Sequence, residues 1–220
     1  MAEEYMRTTD SGEKARQWIG QVERHPGRRM RFKLDISSSA LLVLDMQEFF
    51  LSDKSHACVP SARAAIHNIQ GLVEAFRKSR RPIVFTRHSL AEAEEPGIMN
   101  RFWKDVVREG TPESALTPAL RPSRSDVVLR KTRYSAFHGT DLENILRKRK
   151  VRSVVVTGVV THLCCDSTAR DAFMRDFEVY FVVDATASWT EDLHLSSLKA
   201  LSDGVVIAVA TEDVICAGGG

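Results

Sequence analysis

The sequence has no apolar run approaching the roughly 20 residues that a bilayer-spanning helix needs, so no segment reads as a membrane span. Charge of one sign is also missing: 31 basic and 29 acidic side chains leave a formal net charge of +2. With the two signs interleaved, there is no basic face for a nucleic-acid backbone or an anionic lipid surface. The cluster Arg147 to Lys150 (RKRK) reads as a solvated helix end, where cations suit the macrodipole. Cysteine is scarce. The four residues at 58, 164, 165 and 216 make no CxxC pair and no zinc spacing, which excludes a disulfide framework and a structural zinc site. Cys58 and Cys216 read as small buried or idle thiols. The stretch MAEEYMRTTDSGEKAR lacks the basic-then-apolar order of a secretion signal, so the expected compartment is the cytoplasm.

What is present is a balance of 43% hydrophobic and 27% charged residues over 220 positions, enough for one domain with a substantial core. Short β-branched runs alternate with helical spacing. Strands are expected at Ala40 to Asp45 (ALLVLD), Arg81 to His88 (RPIVFTRH), Asp126 to Lys131 (DVVLRK), Arg152 to Gly158 (RSVVVTG), Glu178 to Ala185 (EVYFVVDA) and Val205 to Ala210 (VVIAVA). Helices are expected between them, the clearest with Ala65, Ile66, Ile69, Val73 and Phe76 on one face. Such alternation implies right-handed crossovers and a three-layer α/β/α domain with a mostly parallel six-stranded sheet.

Two segments break the rhythm. Residues 1–38 read as an N-terminal arm before the domain at 39–220, with a helix near Glu13 to Val22 and then a basic turn, ERHPGRRMRFK. Trp18, Ile19 and Val22 form an apolar stripe that needs burial, on the arm's own domain or on a second copy, and a homo-oligomer is expected. Residues 89–125 lack strand character and carry Met99, Phe102 and Trp103 beside charges, as suits a lid or wall over a site.

Ligands of open parallel sheets bind beyond the carboxyl ends of the strands. Asp45 closes the first expected strand, Lys131 closes the third, and Cys164 follows the fourth. Singly each is ordinary: a turn aspartate, a solvated lysine, a small packing residue. At equivalent edges of one sheet they make a base, an electrostatic partner and a nucleophile. A cysteine opening a helix meets free N–H groups that lower its pKa. Asp45 would take its proton, Lys131 would hold the carboxylate ionised, and N–H groups at Val160 and Cys164 would receive an oxyanion. Phe102 or Trp103, His162, Arg133 and Tyr134 are the expected substrate-binding residues, Arg133 as a fork for a substrate carboxylate.

The segments LLVLDMQEFF, KTRYSAFHGTDLENILR and VVTGVVTHLCCDSTARDAFMRDFEVYFVVDA, in that order across Ser39 to Asp213, resemble the isochorismatase-like superfamily of cysteine hydrolases. The resemblance implies an aspartate, lysine and cysteine triad at Asp45, Lys131 and Cys164, and a cis peptide between Val159 and Val160 that turns the Val160 N–H toward the oxyanion. Amidase-type members place the nucleophile at the position of Cys164. Isochorismatases proper tend to have glycine there and a cysteine one place later, at the position of Cys165. This chain has both, and Cys165 is read as a packing residue. Nicotinamidases of the superfamily carry a metal-binding aspartate and two histidines after the second strand, where this chain offers only His88, so neither metal nor cofactor is expected.

The leading expectation is therefore hydrolysis of a C–N bond in a small amide or ureide through a Cys164 thioester. An alternative is vinyl-ether hydrolysis with Asp45 as general acid and Lys131 and Arg133 holding carboxylates. An alternative of another class is a catalytically silent assembly module. The expected partner is a small-molecule substrate.

Overall fold

The computed structural model describes residues 2–22 and 33–218. Six strands, β1 (Ser39–Leu44), β2 (Ile83–His88), β3 (Val127–Lys131), β4 (Ser153–Val159), β5 (Glu178–Ala187) and β6 (Ile207–Val209), form one sheet in the order β3-β2-β1-β4-β5-β6. Every pairing is parallel. The central strands β1 and β4 are buried at each position, as continuous apolar runs must be when helices cover both faces. The chain winds outward from β1 to β3, returns to β4 and winds the other way. The reversal between β1 and β4 opens the crevice in which this topology places ligands.

Around the sheet lie α1 (Ser11–Val22), α2 (Glu48–Leu51), α3 (Ala62–Lys78), α4 (Gly97–Trp103), α5 (Leu142–Lys148), α6 (Asp166–Phe173), α7 (Glu191–Ser202) and α8 (Thr211–Ala217). Helix α3 forms because apolar residues recur with helical spacing, and it buries Ala65, Ile69, Leu72, Val73 and Phe76 against the sheet. Arg77 and Lys78 close its last turn, where cations face the negative end of the dipole. Helices α2, α4 and α8 are short and were not legible as helices, because four to seven residues hold too few turns to set up a period.

Before α6 the chain makes one π-helical turn, Thr161–Cys165, so Cys164 sits in this turn and not at the first position of the helix. Gly158 brings β4 against β1 just upstream. Its φ is +108°, and a Cβ there would lie 2.1 Å from the Leu44 carbonyl oxygen. Only glycine allows that approach.

The segment ahead of β1 belongs to the same core: Tyr5, Met6, Ala15 and Trp18 are buried with the sheet residues. Trp18 is fully enclosed, its indole N–H donating to Glu191 of α7 at 3.0 Å. Of the two expected places for the stripe, its own domain and a second copy, Trp18 takes the first, because α1 lies against β5 and α7. The oligomer argument built on Trp18 falls away. The basic turn expected after α1 lies, at 23–32, outside the described residues. No helix among the described residues is long and apolar enough to cross a membrane.

Candidate active site

Three strand ends converge under the crevice. Asp45 follows β1 in the left-handed region, with φ +50°, a conformation that aspartate tolerates better than most residues. Its N–H donates to the Thr86 hydroxyl at 3.1 Å, and that hydroxyl donates to Asp45 Oδ1 at 2.6 Å. Thr86 thereby fixes the carboxylate from the neighbouring strand. Lys131 ends β3, and its long side chain reaches across β2 to Asp45 Oδ2, 2.6 Å away, with neither side chain exposed. The ammonium also donates to the Arg133 carbonyl at 2.9 Å and to Cys164 Sγ at 3.3 Å. One ion pair and two hydrogen bonds make the buried cation tolerable. One ammonium thus holds both the Asp45 carboxylate and the Cys164 sulfur.

Burial decides the electrostatics of the sulfur. The Cys164 thiol is pushed up to about 12: burial is the largest cause, the Lys131 charge opposes it, and the Asp45 charge adds to it. This corrects the expectation of a helix-stabilised thiolate: inside the π-helical turn the sulfur is buried, and the loss of water outweighs the dipole. Burial lowers the Lys131 pKa, but the facing Asp45 and Cys164 charges overcome it and the net shift is upward. The resting site is therefore a thiol against a buried carboxylate and ammonium. Cys165 points into the core, with burial holding its thiol well above the ordinary range.

Above the sulfur lies a cavity of 490 Å³. Its wall includes Phe49 and Phe50 from the β1 exit, Leu90, Met99, Trp103 and Val107 from the long insertion, Tyr134, and Trp189 and Leu193 beyond β5. The Trp103 indole N–H donates to the Tyr134 hydroxyl at 2.6 Å, and the ring packs 5.9 Å from Trp189. Val160 and Cys164 reach the wall, while Asp45 and Lys131 do not. The Val159–Val160 peptide is cis.

Several expected binding residues stand elsewhere. Phe102 is 72% exposed and off the wall, since adjacent residues of α4 point about 100° apart and Trp103 takes the inward position. Arg133 is also off the wall, its guanidinium turned to the Thr132 carbonyl at 2.7 Å. His162 lies behind the lining: its Nδ1 pairs with the Ser188 hydroxyl at 2.8 Å and its ring meets Trp189 edge-on. His88, expected as a pocket-wall or surface residue more than as a metal ligand, is part of the wall, and burial with the Lys131 charge pulls it down to about 4. Among the described residues no group of three or more His, Cys, Asp or Glu is arranged to hold a metal.

The model of the isochorismatase domain matches residues 39–213. The chain belongs to the isochorismatase-like hydrolase family. This hydrolase is 35% identical over 174 residues to nicotinamidase 3 of Arabidopsis thaliana, covering 78% of this chain and 84% of that protein. It is 32% identical over 191 residues to enterobactin synthase component B of Escherichia coli K12, covering 86% and 67% respectively. Among solved structures, a cysteine hydrolase from Pseudomonas syringae pv. phaseolicola superimposes with a TM-score of 0.83 at 27% identity, over 88% of this chain and 98% of that one.

Two supporting residues of this hydrolase were missed in the sequence. Thr86 is a buried hydroxyl inside an apolar strand, and that placement was the available signal. Gln47 accepts from the His88 N–H at 2.7 Å and donates to the carbonyls of His88 and Ser114 at 3.1 and 3.0 Å, tying the β1 exit to β2 and to the insertion. Nothing local in the sequence distinguishes it from a surface glutamine.

Proposed function

We propose that this hydrolase cleaves the C–N bond of a small, non-anionic amide or ureide with an apolar or aromatic body, through a thioester on Cys164. The observation that carries the reading is that, of the three buried residues, only Cys164 lines the cavity. Asp45, which does not line the cavity, exchanges a proton first with the thiol, and reaches a substrate atom only once attack by the sulfur has drawn that atom to it. That the substrate carries no anionic group rests on the lining, which among the described residues includes no arginine or lysine, its carboxylate Asp105 being paired with His56. A carboxylate there would be desolvated without a partner.

In the proposed reaction Asp45 accepts the Cys164 proton as the sulfur attacks the carbonyl carbon. With the thiol pKa raised, proton transfer and attack belong to one event, which needs the carboxylate already in hydrogen-bond reach. The oxyanion is received by the N–H groups of Val160 and Cys164. Collapse breaks the C–N bond, and Asp45 passes its proton to the departing amine. Water then attacks the thioester, with Asp45 taking a proton from the water and the sulfur regaining one as the acid leaves. Lys131 keeps Asp45 anionic between these transfers. His88, neutral at physiological pH, is the polar group of the wall suited to orient a heteroatom of the substrate.

The test is a panel containing nicotinamide, benzamide, aryl ureides and isochorismate, with intact-mass detection of an adduct on Cys164. A transient acyl mass on the amides, lost in Cys164→Ala together with at least about 10³-fold of the activity, is expected. Full turnover of isochorismate by Cys164→Ala would overturn the thioester route. Inertness toward the whole panel with an alkylatable Cys164 would deny the amide class.

A further inference from the structure

The family match begins at residue 39, yet the cavity wall includes Ala2. We propose that the segment ahead of β1 is a working part of the binding site, with Ala2 a specificity-determining wall residue and Tyr5 a positioning residue for the aromatic turn that faces it. The inference deepens the reading of the same cavity given above and rests on it for the nature of the ligand, an apolar acyl group.

The contacts are specific to the turn after β5. The Glu3 N–H donates to the Trp189 carbonyl at 2.9 Å, and the Glu191 N–H donates to the Glu3 carboxylate at 2.7 Å. The Ser188 N–H donates to the Tyr5 hydroxyl at 2.8 Å. Ser188, Trp189 and Glu191 are thus each held by this segment, and Trp189 is the wall residue among them. The segment is itself pinned: the N–H groups of Tyr5 and Met6 both donate to the Ser61 hydroxyl, at 2.9 and 3.2 Å.

A second line of contacts reaches the nucleophile's turn. Trp18 packs 4.6 Å from His194, whose Nδ1 lies 2.8 Å from the hydroxyl of Thr161, the first residue of the π-helical turn carrying Cys164. One segment therefore braces both the turn that bears the sulfur and the turn that bears the facing indole. A strand-end site needs such bracing, because backbone beyond the sheet has no ladder to hold it.

The consequence is discrimination by acyl size at Ala2, where a small side chain leaves space. Ala2 is exposed, so the fold does not depend on it. The experiment compares alkylation of Cys164 by iodoacetamide and by N-(1-naphthyl)iodoacetamide, mapped by peptide mass, in the native chain, Ala2→Trp and Tyr5→Phe. Reactivity of the thiol needs no known substrate, so this outcome is separable from failure of the amide reading, which the hydrolysis panel decides. In Ala2→Trp the aryl reagent is expected to slow by at least about fivefold while iodoacetamide changes by less than about twofold, the scale of steric selection in an apolar pocket. Tyr5→Phe keeps the ring and removes the acceptor of the Ser188 N–H, and the aryl-to-small rate ratio is expected to shift there too. A ratio shifted by Ala2→Trp supports the proposal even if Tyr5→Phe fails to fold. A native ratio in Ala2→Trp overturns it.

Discussion

Asp45, Lys131 and Cys164 follow or end three strands of one parallel sheet, whereas Trp103, Tyr134 and Trp189 come from three separate connections and meet only through their side chains. The two regions face each other across one cavity. In the floor, ladder hydrogen bonds set each strand end, and the Lys131 ammonium joins the Asp45 carboxylate to the Cys164 sulfur while Thr86 fixes the carboxylate from the side. In the wall, side-chain contacts join separate connections, and Trp103 remains 43% exposed. The difference teaches a division of labour: chemistry needs atoms held to fractions of an ångström, while selection among apolar substrates works with adjustable surfaces.

The sharpest way to break the comparison is at the floor. Asp45→Asn removes the proton acceptor and leaves Lys131 buried without its counter-charge. Hydrolysis should fall by roughly 10³-fold or more, and chemical denaturation should report a loss of about 3–5 kcal/mol. A variant keeping more than a tenth of the native kcat/KM would show that the floor does not act as one unit. Next comes Gly158→Ala, where the added Cβ meets the Leu44 carbonyl and β1 must separate from β4. Urea unfolding should record a loss above about 4 kcal/mol, and activity should fall with it as the spacing of Asp45 and Cys164 opens.

A pH series sharpens the floor's electrostatics. The folded Cys164 thiol is raised to about 12, so the folded state favours the neutral form. The stability contributed by that preference is complete below the ordinary thiol pKa of ~8.5 and is lost as pH rises toward the folded value. Alkylation of Cys164 by iodoacetamide should therefore keep climbing past pH 9 without a plateau. A plateau near pH 7 would mean that Lys131 outweighs burial. The smallest effect is expected at the wall. Trp103→Phe drops the hydrogen bond to Tyr134 and keeps an aromatic ring, so the melting midpoint should move little, within about 0.5 kcal/mol of stability. KM for an aryl amide should rise while kcat holds. Equal losses in both would join the wall to the catalytic floor.

How legible each region was follows from the same division. Asp45 was readable because it closes an apolar run, as a parallel strand buried on both faces must be, and Lys131 because it ends the short β-branched run of the edge strand β3. Cys164 was readable from its place after the fourth run and from the likeness of its surroundings to a known motif. Thr86 was not picked out, since a lone threonine in a strand usually fills space. Phe102 and Trp103 were indistinguishable in the sequence; only the rotation of a seven-residue helix separates them. The arm's stripe was correctly read as needing burial, but periodicity does not say against what.

By itself the sequence determined the alternation of elements, the all-but-complete set of strands and the chemical identities waiting at their ends, because hydrophobic period and chain order are local properties. Tertiary structure alone decided that the three groups touch, that the sulfur is a buried thiol and not an exposed thiolate, that Arg133 turns away from the cavity, and that residues ahead of the family domain close the wall. Those are matters of distance and dielectric between segments far apart in the chain, and they exist only once the sheet has brought the segments together.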